Sequence, residues 1–321
     1  MRFENFGVTI RQLQYAVAVG ETRSFRRAAE RCHVSQPSLS AQIAELEGCL
    51  EVRLFDRNKR RVVVTGAGEE LLSAARRTLA SAKHLLGVAR ICATPMAGPL
   101  RIGAIPTVAP YLLPVLDPGL RHHFPGLSPR WFEDKTEILV QQIIDGTLDA
   151  ALLAAEAPLG PLHVEALVTD DFVLACSADA SASRATGATA KLDQLHDQPV
   201  LLLDDGHCFR DQALDVCAGA GARELDFRAT SLATLVQMVV GGLGVTLLPM
   251  SAVESETRGR RLSIRPFEPP APHRTLAFAW RRGAAVEALM KALSETAREL
   301  LTVAGKDLRR APTVALRSAS T

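Results

Sequence analysis

No apolar run in this 321-residue chain approaches the roughly 20 residues that a membrane-spanning helix needs, so no membrane contact is expected. The first ten residues carry Arg2 and Glu4 but no apolar core of a secretory signal, which makes a cytoplasmic location the expectation. Cys32, Cys49, Cys92 and Cys176 are scattered without metal-ligand spacing and are expected to be small buried hydrophobes. Asp204, Asp205 and Asp211 have no matched partners for a metal; turn formation and helix capping account for them. The run Gly241-Gly242-Leu243-Gly244 lacks the strand-before-helix setting of a dinucleotide site, and a helix end accounts for it better. No metal and no cofactor is therefore expected.

What is present is an ordinary globular composition, 47% hydrophobic and 22% charged, long enough for two or more domains. The net charge of +2 hides an asymmetry: residues 1–65 hold eleven basic and seven acidic residues, the remainder 26 and 28. A basic first fifth suggests a small module that meets a polyanion. Its pattern predicts a helix over 9–19, a second over 25–32 capped by Ser24, and a third over 36–50 capped by Ser35. Pro37 is tolerated in the first turn of the third helix, and Leu39, Ile43, Leu46 and Leu50 form one apolar stripe. Residues 52–64 alternate around Asp56-Arg57-Asn58-Lys59-Arg60-Arg61, as in a β-wing with a basic tip. A long helix follows from Thr65, with Leu71, Leu72, Ala75, Leu79, Ala82, Leu85, Leu86 and Val88 on its stripe. That stripe is too long for a three-helix module to bury, so a second chain is its natural cover.

Thr94–Pro99 breaks the long helix. Beyond it strands (100–105, 129–132, 148–153, 172–176, 200–203, 226–228, 245–248, 275–280) alternate with helices (112–124, 136–144, the segment after Gly206, 232–240, 285–303). Such alternation predicts an α/β domain with mainly parallel sheets. Residues 181–190 form a low-complexity loop, and 305–321 a solvated, flexible basic tail.

One pair of cysteines stands apart. Between Cys208 and Cys217, residues 209–216 contain no Pro or Gly and read as helix. Nine helical steps would separate the two sulfurs by roughly 13 Å on opposite faces, whereas a disulfide needs Cα atoms within about 7 Å. In a cytosolic setting stable structural disulfides are rare. A bond between these two would have to form by unfolding its own helix.

The segment Phe25-Arg26-Arg27-Ala28-Ala29-Glu30-Arg31-Cys32-His33-Val34-Ser35-Gln36-Pro37-Ser38-Leu39-Ser40, with Leu46-Glu47, Leu54-Phe55 and Val64-Thr65, resembles the winged helix-turn-helix of LysR-type transcriptional regulators. Gly244-Val245-Thr246-Leu247-Leu248-Pro249 continues the likeness, which covers the chain to about residue 304. Two departures stand out: Glu51 where the family usually has Gly, and Ala41, Ala44 and Glu45 where many members carry basic residues. Asp205-Gly206-His207-Cys208, Arg210-Asp211-Gln212-Ala213, Cys217, Ile105-Pro106-Thr107-Val108, Phe227–Leu232 and Arg274-Thr275 narrow the resemblance to the peroxide-sensing members of that family.

The resemblance implies a DNA-binding domain at 1–65 and a linker and dimerisation helix at 66–94. It further implies a two-lobed α/β regulatory domain of the periplasmic-binding-protein type, with lobe I at 98–168 and 275–304 and lobe II at 169–274. It implies double-stranded DNA, hydrogen peroxide, RNA polymerase and a resetting thiol reductant as partners, a homotetramer built as a dimer of dimers, and activation of oxidative-stress genes by a protein that is not an enzyme. By the same likeness Cys208 is peroxidatic and Cys217 resolving, joined in a reversible disulfide. Thr107, Thr136, His207, Asp211, Gln212 and Arg274 serve the peroxide pocket. Gln36, Pro37, Ser38 and Ser40 on the third helix, with Arg57, Lys59 and Arg60 on the wing, would meet DNA. A helix N-terminus with Arg274 and Arg210 nearby is expected to lower the Cys208 pKa. Two rival readings remain: a LysR-type regulator that senses a small metabolite, and a thiol peroxidase.

Overall fold

A computed structural model describes residues 7–58, 61–93, 96–179, 189–303 and 309–310. The N-terminal unit packs three helices, α1 (Ile10–Thr22), α2 (Phe25–Arg31) and α3 (Gln36–Leu50), with a hairpin of β1 (Phe55–Asn58) and β2 (Arg61–Val64). Each helix starts where a side chain satisfies free backbone amides. Thr9 accepts from Gln12 N–H while Gln12 reaches back to Thr9 N–H, and Ser24 and Ser35 accept from Arg27 and Ser38. The core joins Tyr15, Val19, Ala28, Leu39, Ile43, Leu46, Leu54 and Phe55. Glu51 ends α3 at φ +53, the left-handed conformation that glycine adopts without steric cost. The long helix α4 (Gly66–Ala93) follows, with Leu85 68% and Leu86 72% exposed.

The second unit opens with the parallel strands β3 (Gly98–Ala104), β4 (Leu127–Glu133) and β5 (Ala150–Ala154) and the helices α5 (Ala109–His123) and α6 (Thr136–Ile144). These, with the final helix α10 (Glu287–Val303), surround the core of lobe I, which includes Leu112, Leu116, Leu139, Phe278, Trp280 and Leu293. Lobe II has its own parallel set, β7 (Pro199–Leu203), β8 (Arg223–Ala229) and β9 (Val245–Pro249), with α7 (Cys208–Gly219), α8 (Leu232–Val240) and α9 (Met250–Thr257). Its core includes Phe172, Leu201, Phe209, Cys217, Leu235 and Leu247.

The expectation of mainly parallel sheets is only half right. β6 (Leu162–Ser177) runs antiparallel to β11 (His273–Arg281) through its first ten residues, then to β9 and to β10 (Leu262–Pro266). One continuous strand therefore serves both lobes. Sequence periodicity marks only its last, apolar third, because burial in the first part is irregular, with Leu162, Leu167, Val168 and Asp170 buried and the residues between them half-buried. It had also missed α9 and β10. The tail differs too: Arg309–Arg310 form a short strand, β12, against Thr169 and Val168. The remainder of the tail, most of the 181–190 loop, and Thr94 and Pro95 of the predicted break lie outside the described residues.

Candidate functional site

Two surfaces carry chemistry. On the N-terminal unit, Gln36, Pro37 and Ser38 are exposed in the first turn of α3 and Ser40 is half-buried, while Leu39 points into the core. Glu47 Oε1 accepts the amides of Leu54 at 2.8 Å and Phe55 at 3.1 Å, fixing where the hairpin leaves α3. Arg57 lies on β1. Lys59 and Arg60, at the predicted basic tip, lie outside the described residues.

The second surface is built at the N-terminus of α7. Gly206 turns the chain at φ +85, and a side chain there would press on Lys135, whose Nζ donates to Asp205 O at 2.6 Å. That turn presents His207 as the cap residue and Cys208 as the first helical residue. α7 is continuous through Cys217, so the helix foreseen over 209–216 is present. Its two cysteines are on opposite faces of one intact helix: Cys208 half-buried against the lobe I core, Cys217 4% exposed inside that of lobe II.

Cys208, His207, Thr107 and Thr136 converge on one narrow recess with Ile105, Pro106, Lys135 and Gly206, too tight as it stands to admit a water molecule. Thr107 and Thr136 are both buried, and Thr136 Oγ1 has no hydrogen-bond partner of good geometry although it is near enough to Cys208 to influence its acidity. Thr107 Oγ1 accepts from Arg274 Nη1 at 2.8 Å and its carbonyl from Nη2 at 3.0 Å. Arginine has no acceptor, so the Thr107 hydroxyl proton is not used in this contact and remains available as a donor. Burial, then Lys135, holds His207 below the usual imidazole range, so the ring is neutral at pH 7.

The expected acidification of Cys208 is not found. Burial raises its thiol pKa, and Thr136, Arg274 and the Phe209 amide, which all pull it down, do not compensate; Asp211 adds to the rise. Burial is the largest cause, and the two arginines expected to offset it are engaged with other partners. Arg274 is fully buried, but its Nε and Nη2 both donate to Asp170 Oδ2, at 3.0 and 2.9 Å, and its guanidinium lies 5.3 Å from the Phe209 ring centre. Cys208 thus faces an ion pair in place of a bare cation. Arg210 is engaged elsewhere, donating to Asp205 at 2.8 Å, Glu224 at 2.9 Å and Leu203 O at 3.3 Å.

Gln212 is one turn beyond Cys208, but it does not line this recess. Its Nε2 donates to Glu156 at 3.3 Å, and both residues line a second cleft with Phe172, Val216 and His273. Asp211 is exposed in the first turn of α7. Sequence reasoning missed Asp170, Ser251, Lys135 and the packing role of Phe209. The adjacent Asp170 and Asp171 ahead of an apolar strand were the available signal, since a buried carboxylate demands a partner. Alternation could not say which of the two faces inward.

Comparison with known proteins adds a separate line. The family model of the LysR substrate binding domain matches residues 93–302, and that of the bacterial regulatory helix-turn-helix protein, lysR family, matches 10–69. A hydrogen peroxide-inducible genes activator of Pectobacterium carotovorum is 42% identical over 293 residues, 91% of this chain and 96% of that protein. The DNA-binding transcriptional dual regulator OxyR of Escherichia coli K12 is 41% identical over 292 residues, 91% and 95% of the two chains. Among solved structures, a full-length OxyR variant from Pseudomonas aeruginosa superposes with a TM-score of 0.71 at 35% identity, covering 91% of this chain and 95% of that one. A peroxide-bound OxyR variant of Corynebacterium glutamicum gives 0.62 at 34% identity, covering 92% and 93%.

Proposed function

The chain belongs to the LysR family of bacterial transcriptional regulators, and from that premise we propose that it senses hydrogen peroxide through Cys208 and switches transcription by a reversible Cys208–Cys217 disulfide. The observation that carries this is the convergence of Cys208, Thr107, Thr136 and His207 on one recess, at the head of a helix that holds Cys217 on its far face.

The chemistry follows from the geometry. Cys208 sulfur attacks one peroxide oxygen; an S–O bond forms, the O–O bond breaks, and the leaving oxygen departs as water with the thiol proton, leaving a sulfenic acid. Cys217 sulfur then displaces that hydroxyl, releasing a second water and closing the disulfide. Because burial raises the Cys208 thiol pKa, charge alone does not activate it. Rate must come from holding peroxide in line and donating to its leaving oxygen, which the Thr107 and Thr136 hydroxyls are suited to do. Neutral His207 can serve the same end by hydrogen bonding. Asp211, exposed on the first turn, is assigned to the refolding step and Gln212 to its second cleft. A thiol reductant returns the pair to the starting state.

Closing the disulfide requires α7 to come apart, because nine helical residues keep the sulfurs roughly 13 Å apart. The DNA-facing residues would be Gln36, Pro37, Ser38 and Ser40 with Arg57, Lys59 and Arg60. The four-chain assembly, the 1–65, 66–94, 98–168/275–304 and 169–274 division, and contact with RNA polymerase complete the proposal. Mass spectrometry after sub-stoichiometric peroxide tests it. A Cys208–Cys217 crosslink, absent in Cys208→Ser together with the change in DNA binding, is the expected result. An unaltered peroxide response in Cys208→Ser would sink the assignment.

A further inference from the structure

Two side chains cross between the lobes in opposite directions. Cys208, at the head of α7 in lobe II, packs against the lobe I core, while Tyr111, in the first turn of α5 in lobe I, is 5% exposed within the core of lobe II. The short helix α9 reaches the Thr107–Tyr111 turn from both of its ends, directly at one and through Asp170 and Arg274 at the other. At the N-terminal end, Ser251 N–H and Oγ–H donate to Asp170 Oδ1 and Oδ2 at 2.9 and 2.8 Å. Asp170 in turn holds Arg274, which donates to Thr107. At the C-terminal end, Tyr111 O–H donates to Glu256 Oε1 at 2.9 Å, and Arg260 holds Glu256 through its carboxylate and, at 2.8 Å, its carbonyl.

We propose that α9 is a positioning brace for the thiol site: Ser251 with Asp170 at one end, and Glu256 with Tyr111 at the other, hold the Thr107 turn of lobe I in register with Cys208 of lobe II. The inference rests on the peroxide-sensing reading and extends it to residues that touch neither peroxide nor sulfur. Three observations support it. Thr107 and Tyr111 are one helical turn apart, so the two contacts restrain both the place and the tilt of that turn. Ser251, Asp170 and Arg274 are at most 2% exposed, so bulk water does not loosen the chain of bonds that reaches Thr107. Burial and Glu256 also push the Tyr111 phenol well above its ordinary pKa, so it remains a donor.

The direction of these bonds matters. Arg274 fixes Thr107 Oγ1 by donating to it and, having no acceptor, leaves the hydroxyl proton available to a ligand in the recess. A drift of about 1 Å in a positioning group is enough to cost on the order of a hundredfold in rate. Attack on an alkylating agent needs Cys208 sulfur but no donor to an O–O bond. The brace therefore separates two reactivities of one thiol.

The test compares the reduced full-length wild type with Tyr111→Phe and Ser251→Ala, two small changes that keep the ring packing and the backbone. Loss of the Cys208 thiol is followed once with hydrogen peroxide and once with iodoacetamide. The expected result is a peroxide rate constant lowered tenfold or more in each variant, with the iodoacetamide rate within about twofold of wild type. An unchanged peroxide rate, or equal losses with both reagents, would overturn the brace; equal losses would mean a contact that only supports the fold. If wild-type Cys208 reacts with peroxide no faster than free cysteine, the sensing reading fails and the brace falls with it.

Discussion

Cys217 shows what burial does to a single thiol. Desolvation, with a contribution from the Glu224 carboxylate, raises its pKa from 9.0 to about 12. A thiolate is the reactive form, so this sulfur is inert while α7 is intact; in the proposed switch it would act as the resolving group only once refolding brought it out of the core. The same shift has a stability consequence. The folded-state pKa is above the unfolded one, so the contribution is complete below pH 9 and is lost as pH rises towards 12. Over that window the wild type should lose about 1.4 kcal/mol per pH unit relative to Cys217→Ala, measured by denaturant unfolding of the reduced proteins. A difference that stays flat with pH would show that the thiol is not held in its neutral form. At this scale the sequence was informative about which residues matter and misleading about charge. Arg210 and Arg274 stand close to Cys208 along the chain or by resemblance, yet one is turned to Glu224 and the other is neutralised by Asp170.

Among the elements, α7 is the one that the proposed disulfide switch requires to be both formed and breakable. Its twelve residues are anchored at a few points: Phe209 edge-on to Phe172 at 5.1 Å, Ala213 and Cys217 in the core, and Arg210 tied to Asp205, Glu224 and Leu203 O. The arginine side chain is 7% exposed, but Asp205 is 77% exposed, so the ion pairs are partly screened. Arg210→Ala should cost about 1–3 kcal/mol of stability and should speed disulfide closure after sulfenic acid formation, since those bonds resist the refolding. Thermal unfolding and stopped-flow oxidation read the two effects. Slower closure in the variant would mean that Arg210 assists the oxidised state instead. The helix itself was legible from the absence of Pro and Gly in 209–216, because helix formation is a local property. β6 was not, because burial along its first ten residues is irregular and they pair across a long sequence interval.

For the whole molecule, the two exposed leucines of α4 matter most. Leu85 and Leu86 are large apolar side chains left mostly exposed, as expected of a helix covered by a second copy. Leu85→Lys with Leu86→Lys should therefore lower the mass of the assembly in sedimentation equilibrium, and weaken DNA binding by removing a second module. An unchanged mass would move the interface elsewhere. The two-lobed regulatory domain places the Cys208 thiol, at the head of α7 in lobe II, against the lobe I core, so a change confined to α7 alters the surface on which the lobes meet.

The sequence by itself determined the capped helices of the N-terminal unit, the helical path from Cys208 to Cys217, and the impossibility of a disulfide within it. Each depends on spacing along a few turns, which the backbone reads locally. The tertiary structure alone decided that Asp170 cancels the charge of Arg274, that Gln212 faces a second cleft, and that the Cys208 thiol is raised rather than lowered. Those outcomes depend on desolvation and on counter-charges; Arg274 and Asp170, for instance, are 104 positions apart. Periodicity reports which face a residue occupies; only the packed fold reports what it meets there.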